Sequence, residues 1–493
     1  MHEAQFSNRL RRFVVDEWAL SFVLVYFLVQ AVLVTWVSNG AGLDDAEQLA
    51  YIGPLQRGYG GSQPPLYTWI SSFASSILGI RLFTLQLVKF GLLASIYASV
   101  YCGARLLDLP RAVAAAGMLA IFLLPPIGWE SQRALTHSVG GMAGCAWAFL
   151  AFAWHMRSKS WLSAALWGLG MAAALLGKFN AGFFVAALLV TGLLVPDYRK
   201  VVLSRTSLLT LAVFVVALLP TALWMLDHRQ FVFARSGKLA LDQNSNFLTS
   251  RITGIGQLLL KTMLVCAVMI VFFAIGVARN RKTWMAKYEP QPLGARFMIR
   301  LVPCGLSLVL LGIVLSGATR VEDRWLQPVT FLVPLALACW LAGHLSSDRG
   351  LRQVTFWSAV VALVYVPVLA YNLHYGRAGD PPIGQLDYAA LYRQARQAGD
   401  FRTVLSDTPQ LPGNLRLFDP ALVPIHFEMP DIAARAKRPL LIVWFGGETP
   451  TWSVRHMLRI AGLDLSHVRV VDATLSYLTQ PNVRESVHFA ILP

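Results

Sequence analysis

The sequence predicts a polytopic α-helical membrane protein of about 11 transmembrane helices, ending in a small α/β domain. Three observations carry this reading. Of 493 residues, 56% are hydrophobic and only 14% charged, against roughly 25% charged in soluble chains. The apolar residues collect into runs that approach the ~20 residues needed to cross a bilayer. From Asn372 onward the texture changes to short apolar stretches between polar turns, with 12 basic and 11 acidic side chains close to balance.

The runs fall at roughly 18–38, 82–101, 112–128, 138–156, 161–176, 180–195, 207–226, 257–278, 299–316, 325–343 and 354–371. The net charge of +16 lies almost wholly ahead of residue 372, in the segments between them. That is a positive-inside bias, not the surface of a nucleic-acid binder. Basic residues gather in alternate loops: Arg9, Arg11 and Arg12; Arg105 and Arg111; Arg157 and Lys159; Arg199, Lys200 and Arg205; 279–300 with Lys287; Arg349 and Arg352. The N-terminus is therefore expected in the cytoplasm, and an odd number of spans places residues 372–493 outside. The first run is too long for a removed leader and lacks a small-residue cleavage site, so it reads as an anchor. The expected division is a membrane domain, 1–371, and a soluble domain, 372–493.

Two outside segments, 39–81 and 227–256, are too long for simple turns, and loops of that length are usually functional or disordered. Within the first, 66–78 places Leu66, Trp69, Ile70, Phe73 and Ile77 on one helical face and Ser71, Ser72, Ser75 and Ser76 on the other. This fits a helix in the membrane surface or one packed on the protein's own core. Pro64 and Pro65 set its start. In the soluble domain, Asp387 caps a helix over 388–398. Strands are expected at 403–405, 440–445, 468–471 and 488–492, and helices at 431–438 and 452–462. The five cysteines lie within or at the ends of apolar runs, which leaves no disulfide framework or CxxC site.

Acidic residues avoid the apolar runs. Apart from Arg300 at the edge of one run, Lys89 and Lys261 are the only Lys or Arg residues inside them, and both read as snorkelling side chains. A chain without buried carboxylates is a poor candidate for an ion-coupled transporter. The carboxylates cluster instead on the outer rim: Asp44, Asp45 and Glu47, Glu130, Asp227, Glu322 and Asp323. Arg57, Arg133, Lys178, Arg229, Arg235, Lys238, Arg320 and Arg324 share that rim. Few carboxylates among many cations, level with lipid headgroups, suit a phosphorylated lipid. Each residue alone reads as a solvated loop charge; the set points to a site. Asp44 with Glu47 three residues on also fits a capping box. Gly177-Lys178 lacks the rest of a P-loop, and Gly140 and Gly144 read as close helix packing. His137 and His228 have no zinc-like spacing around them, so no metal or other cofactor is assigned.

Taken in order, Leu43-Asp44-Asp45-Ala46-Glu47-Gln48, then Gln63-Pro64-Pro65-Leu66-Tyr67, Thr136-His137, Gly177-Lys178-Phe179 and Arg324-Trp325-Leu326-Gln327-Pro328 resemble the polyprenyl-phosphate-dependent membrane glycosyltransferases of the C-type superfamily. The similarity runs through about residue 371. It is strongest to the bacterial branch related to protein mannosyltransferases, which holds the lipid A aminoarabinose transferases and the lipopolysaccharide core galacturonosyl transferases. The resemblance implies a C-type fold and a catalytic first periplasmic loop. It puts Asp44 in the place of the catalytic aspartate and makes Asp45, the acid that follows it, the second catalytic candidate. It makes Lys178 and Arg324 donor-phosphate ligands, with Arg133 and Arg320 as further ones, and leaves Glu47, Gln63 and His137 for headgroup or acceptor contacts. Gln63 replaces a lysine of the aminoarabinose transferases, and Thr136-His137-Ser138 replaces a Thr-Pro-Asp common among relatives. Both depart from the aminoarabinose pattern.

The activity so implied is inverting transfer of a sugar from a polyprenyl-phosphate donor to a cell-envelope acceptor: lipid A, lipopolysaccharide core, another glycan or a protein. It would occur on the periplasmic side of a bacterial inner membrane. A transporter of a lipid-linked sugar and a glycan ligase remain the alternatives.

Overall fold

The computed structural model describes residues 17–60, 63–230, 247–284 and 291–493. Arg9, Arg11, Arg12, Arg235, Lys238 and Lys287 lie outside the described residues. Among the described residues, seven helices are long and apolar enough to cross a membrane: Trp18–Val37, Leu82–Leu106, Thr136–Ser158, Thr206–Asp227, Phe247–Arg279, Leu293–Ser316 and Arg349–Tyr375. Three further helix pairs pass that test only together, because each is bent. They are Arg111–Leu123 with Pro125–Arg133 (80°), Phe179–Leu194 with Pro196–Val202 (117°), and Asp323–Thr330 with Val333–Ala342 (44°). Trp161–Gly177 is a shorter apolar helix. Every expected run thus falls on a helix or a broken helix. The breaks are chemical: Pro125, Pro196 and Pro334 open the second halves, where a residue without an N–H suits a first turn and cannot continue the one before. Some helices outrun their apolar stretch. Phe247–Arg279 begins ten residues before the expected 257, because backbone hydrogen bonding does not stop where hydropathy falls.

The described residues pack as two compact units. One takes its residues from Met1–Val29, Phe90–Trp224 and Arg235–Tyr365; the other from Gln30–Lys89, Met225–Ala234 and Val366–Pro493. In the first, Phe27, Tyr97 and Phe122 form a buried aromatic cluster with centroids 4.6 to 5.7 Å apart. Helices Thr136–Ser158 and Trp161–Gly177 pack at backbone distance. A Cβ on Gly144 would meet the Ala174 nitrogen at 2.3 Å, so this glycine serves helix packing, as expected.

The second unit joins the first outside loop to a five-stranded sheet in the order β2-β1-β3-β5-β4. The strands are β1 (Thr403–Ser406), β2 (Val423–His426), β3 (Leu440–Phe445), β4 (Val471–Tyr477) and β5 (Gln480–Leu492). β2, β1 and β3 are parallel, and β5 and β4 close the sheet antiparallel. Leu391, Leu411, Leu441 and Phe489 fill one face, and Ile425, Ile442, Val454 and Met457 the other. Burial on both faces explains why β3 reads as an unbroken apolar run. Asp387 caps Tyr388–Ala398 through the Ala390 N–H at 2.8 Å, as expected. The strand expected at 468–471 is corrected. The fourth strand starts at Val471, while Val468 and Val470 pack on the core outside any strand.

Helix Leu66–Leu78 starts after Pro65 and turns its serines inward. Ser71, Ser72 and Ser75 are buried, whereas Phe73 and Ile77 are two-thirds exposed. Its apolar face divides: Trp69 packs on Ala50, Tyr51 and Tyr59, whereas the later residues Phe73 and Ile77 point outward. Leaving two such side chains uncovered forgoes about 1.5–3 kcal/mol each.

Candidate active site

Asp44 and Asp45 occupy the first turn of helix Leu43–Tyr51. Its N-cap is Gly42 in extended conformation, and no side chain caps it. The capping-box reading of Asp44 with Glu47 is therefore corrected. The helix begins at Leu43, so Asp44 is already inside the turn, where a carboxylate meets the positive end of the helix dipole. Asp44 and Glu47 are half-buried.

Asp45 is buried, and its Oδ2 accepts hydrogen bonds from Lys89 Nζ at 2.8 Å and Gln86 Nε2 at 2.9 Å. Only 1% of the Lys89 side chain and 9% of the Asp45 side chain are exposed. The expectation that Lys89 snorkels is corrected: burial forces its ammonium onto a carboxylate. Lys261 likewise reaches Asp323, at 2.9 Å. The buried Tyr67 phenol is pushed well above its usual pKa, first by burial and then by the nearby Asp45 and Asp44 carboxylates. It stays a neutral group beside them. Thr68 donates to Gln48 Oε1 at 2.9 Å, and the Gly53 N–H donates to Ser72 Oγ at 3.3 Å. These bonds join the aspartate helix to the serine face of Leu66–Leu78.

The sheet domain grips the other side of the aspartate helix. Asn414 accepts from the Ala41 N–H at 2.7 Å and donates to the Ala41 carbonyl at 3.2 Å. Arg416 Nη1 donates to the Leu49 and Ile52 carbonyls, both at 2.6 Å. Its cation thus meets the helix's C-terminal carbonyls, where the dipole favours positive charge. Burial lowers the Arg416 pKa to about 10. Gly413 lies so close that a Cβ would sit 2.2 Å from the Ala46 carbonyl oxygen. Gly60, at φ +95°, leaves 2.1 Å between its missing Cβ and the Glu428 carbonyl oxygen. Gln63 is half-buried in the stretch before Pro64.

In the other unit, Lys178 ends helix Trp161–Gly177 in extended conformation and donates to Ser138 Oγ. Asn180 donates to the Trp325 carbonyl at 2.6 Å, which sets the Lys178 turn beside the Arg324-Trp325 motif. Gln327 of the same motif donates to the Pro126 carbonyl at 2.7 Å, tying it to the bend that leads to Arg133. Leu135 stands between them at φ +69°, a left-handed conformation costing a leucine roughly 1 kcal/mol or more. Thr136 and His137 follow, both buried. Arg133 is paired with Glu130 at 2.7 Å and Arg320 with Glu322 at 2.5 Å. Lys178, Arg324, Arg133 and His137 thus belong to turns that pack on one another. Arg57 is exposed on the first loop, and Asp227 and Arg229 are exposed at the end of Thr206–Asp227.

Sequence reading missed the partners Lys89, Gln86, Asn414, Arg416 and Asn180. A lysine one helical turn from Gln86, near the outer end of an apolar run, was the available signal for the first pair. Nothing local marks Asn414 or Arg416.

The family Dolichyl-phosphate-mannose-protein mannosyltransferase matches residues 62–224. The chain is 29% identical to the lipopolysaccharide core galacturonosyltransferase RgtB of Rhizobium johnstonii over 441 residues, 87% of each chain. It is 28% identical to RgtA of the same organism over 447 residues, 86% of each. Its fold matches the crystal structure of ArnT from Cupriavidus metallidurans bound to undecaprenyl phosphate, with TM-score 0.57 and 11% identity. That match covers 96% of this chain and 98% of the other. The apo structure gives 0.56 at 12% identity over the same shares. The resemblance read from the sequence is borne out: the chain is similar in sequence to membrane glycosyltransferases and shares the fold of the ArnT structures, with long apolar helices and a small C-terminal sheet domain.

Removing either partner of the Asp45–Lys89 pair strands the other as a buried charge. Asp45→Asn and Lys89→Met should each lower stability by about 3–5 kcal/mol, and the double variant should recover most of that loss. Denaturation of the detergent-solubilised protein measures it. Additive losses would mean that the pair does not hold the helix.

Proposed function

We propose that this chain is an inverting glycosyltransferase of the bacterial inner membrane. It moves a sugar from a polyprenyl phosphate onto a lipopolysaccharide core or related envelope acceptor on the periplasmic side. The observation that carries this reading is the relation to two core galacturonosyltransferases over more than four-fifths of both chains. It also makes a galacturonosyl residue the first sugar to test.

The chemistry needs few residues. The polyprenyl phosphate leaves as a phosphate anion and requires no acid to protonate it, unlike the leaving group in glycoside hydrolysis. The acceptor hydroxyl attacks the anomeric carbon as the carbon–phosphate-oxygen bond breaks, and its proton passes to a base. Asp44 is assigned that role. It stands in a helix turn fixed by Asp45, whose own carboxylate is engaged by Lys89 and Gln86. Lys178 and Arg324 are assigned to the departing phosphate. Arg133 and Arg320 come second, because each already faces a glutamate. Glu47, Gln63 and His137 remain assigned to headgroup and acceptor contacts.

Asp44→Asn keeps the shape and loses the base. Transfer should fall by ~10²–10⁴-fold with donor binding retained, whereas Lys178→Ala and Arg324→Ala should raise the donor KM. A radiolabelled-donor assay in proteoliposomes reads both. Near-normal turnover in Asp44→Asn would remove this residue from the mechanism.

Orientation is part of the proposal and follows from the basic loops. A cysteine at the exposed Thr449, in a background without the five native ones, should react with an impermeant thiol reagent in cells with a permeabilised outer membrane. Reaction only after lysis would invert the topology.

A further inference from the structure

The sheet domain carries an aromatic platform outside the site described above. Phe427 follows β2 directly, and Trp452 and His456 lie on helix Trp452–Ile460 after β3. The Trp452 and His456 rings are stacked, 4.9 Å apart and 8° from parallel. Phe427 lies 5.9 Å from Trp452 and 6.0 Å from His456. Trp452 is 63% exposed and Phe427 37%. Val454, Met457 and Leu458 anchor the helix in the core, so the exposed rings are not needed to hold it.

Spacing adds charge to the platform. Trp452, Arg455, His456 and Arg459 follow one another at i, i+3, i+4 and i+7, which is a single face of a helix. Arg455 and Arg459 are exposed, and neither takes part in a salt bridge among the described residues.

The position is also informative. The parallel strands run in the order β2-β1-β3, so the chain leaves the C-terminal end of β1 in one direction and returns to β3 on the other side. Open α/β sheets bind ligands at that end. The loop bearing Phe427 is seated on the first outside loop. His426 packs edge-on against Tyr51 at 5.0 Å, the Glu428 carbonyl closes on Gly60, and Arg435 donates to Gln56 at 3.3 Å. The platform is therefore continuous with the loop that carries Asp44.

We infer that Phe427, Trp452 and His456, with Arg455 and Arg459, form a subsite for an anionic sugar ring of the acceptor glycan. The C–H face of a pyranose is apolar and carries partial positive charge, which suits the electron-rich face of an aromatic ring. A carboxylate or phosphate on that sugar suits the two guanidinium groups. A neutral apolar partner would leave both arginines unused. Calling the glycan the acceptor rests on the transferase reading above; the sugar-binding site itself does not.

The test uses the full chain in nanodiscs. The probe is the acidic oligosaccharide released by mild acid from lipopolysaccharide of a strain lacking this gene, with a neutral maltooligosaccharide as control. The wild type should bind the acidic probe and not the control. Trp452→Ala should weaken binding by about tenfold, the equivalent of ~1.4 kcal/mol, and Trp452→Phe should largely preserve it. Arg455→Ala with Arg459→Ala should abolish the preference for the acidic probe. In transfer assays Trp452→Ala should raise the acceptor KM and leave kcat and the donor KM unchanged. Wild-type protein that binds neither sugar, or a Trp452→Ala variant that binds like wild type, would overturn the subsite. Trp452-dependent binding without transfer to any envelope acceptor would instead overturn the transferase reading and leave the sugar site standing.

Discussion

A buried lysine–carboxylate contact, Lys89 to Asp45, fixes the helix on which the proposed chemistry depends. Taking both charges out of water costs several kcal/mol per ion, and the pair is tolerable only because the geometry is close and a second donor, Gln86, also meets the same oxygen. The contact makes the position of the Asp44–Asp45 turn a consequence of where helix Leu82–Leu106 begins. Asn414 and Arg416 complete the hold from the sheet domain, one at Ala41, two residues before the helix, and one at the carbonyls of its C-terminal end. A nine-residue helix is too short to be stable alone, so these contacts are what makes it a fixed element.

That rigidity has a functional meaning. A general base works only when it lies within hydrogen-bond reach of the proton it takes, and a loop of more than forty residues would not hold one there. Adjacent carboxylates on one helix turn have been given different work: Asp45 is consumed by structure, while Asp44 is left half-buried at the positive end of the helix dipole. The sheet domain, which carries no active-site motif of its own, acts first as a clamp on this helix. Its aromatic platform extends the same surface toward a larger substrate.

Much of this was legible in the sequence. Hydropathy located all eleven apolar runs, since burial in lipid constrains composition residue by residue. The first-loop motif located the aspartates, and the proline pair located the start of Leu66–Leu78. Three kinds of feature were not legible. Hydropathy does not register a change of helix direction at a proline, so 112–128 reads as one run although it is bent by 80° where Pro125 opens a second helix. The β2 strand, four residues long at the sheet edge, is too short for periodicity to register. The partners of the aspartate helix come from 44 and more than 360 residues away, and an asparagine or arginine that bonds to backbone carries no local pattern. Lys89 shows the difficulty well. The same residue at the same place in a run can snorkel or pair, and only the approach of Asp45 decides.

The central claim is transfer of a single sugar to an envelope glycan. Mass spectrometry of lipopolysaccharide from cells with and without this gene tests it most directly. The account predicts that deletion removes the mass of one hexuronic acid residue from the core, with the lipid-linked donor accumulating, and that wild-type protein restores the residue while the Asp44→Asn form does not. Unchanged core glycans together with a donor trapped on the cytoplasmic face would contradict it and identify a carrier in place of a transferase.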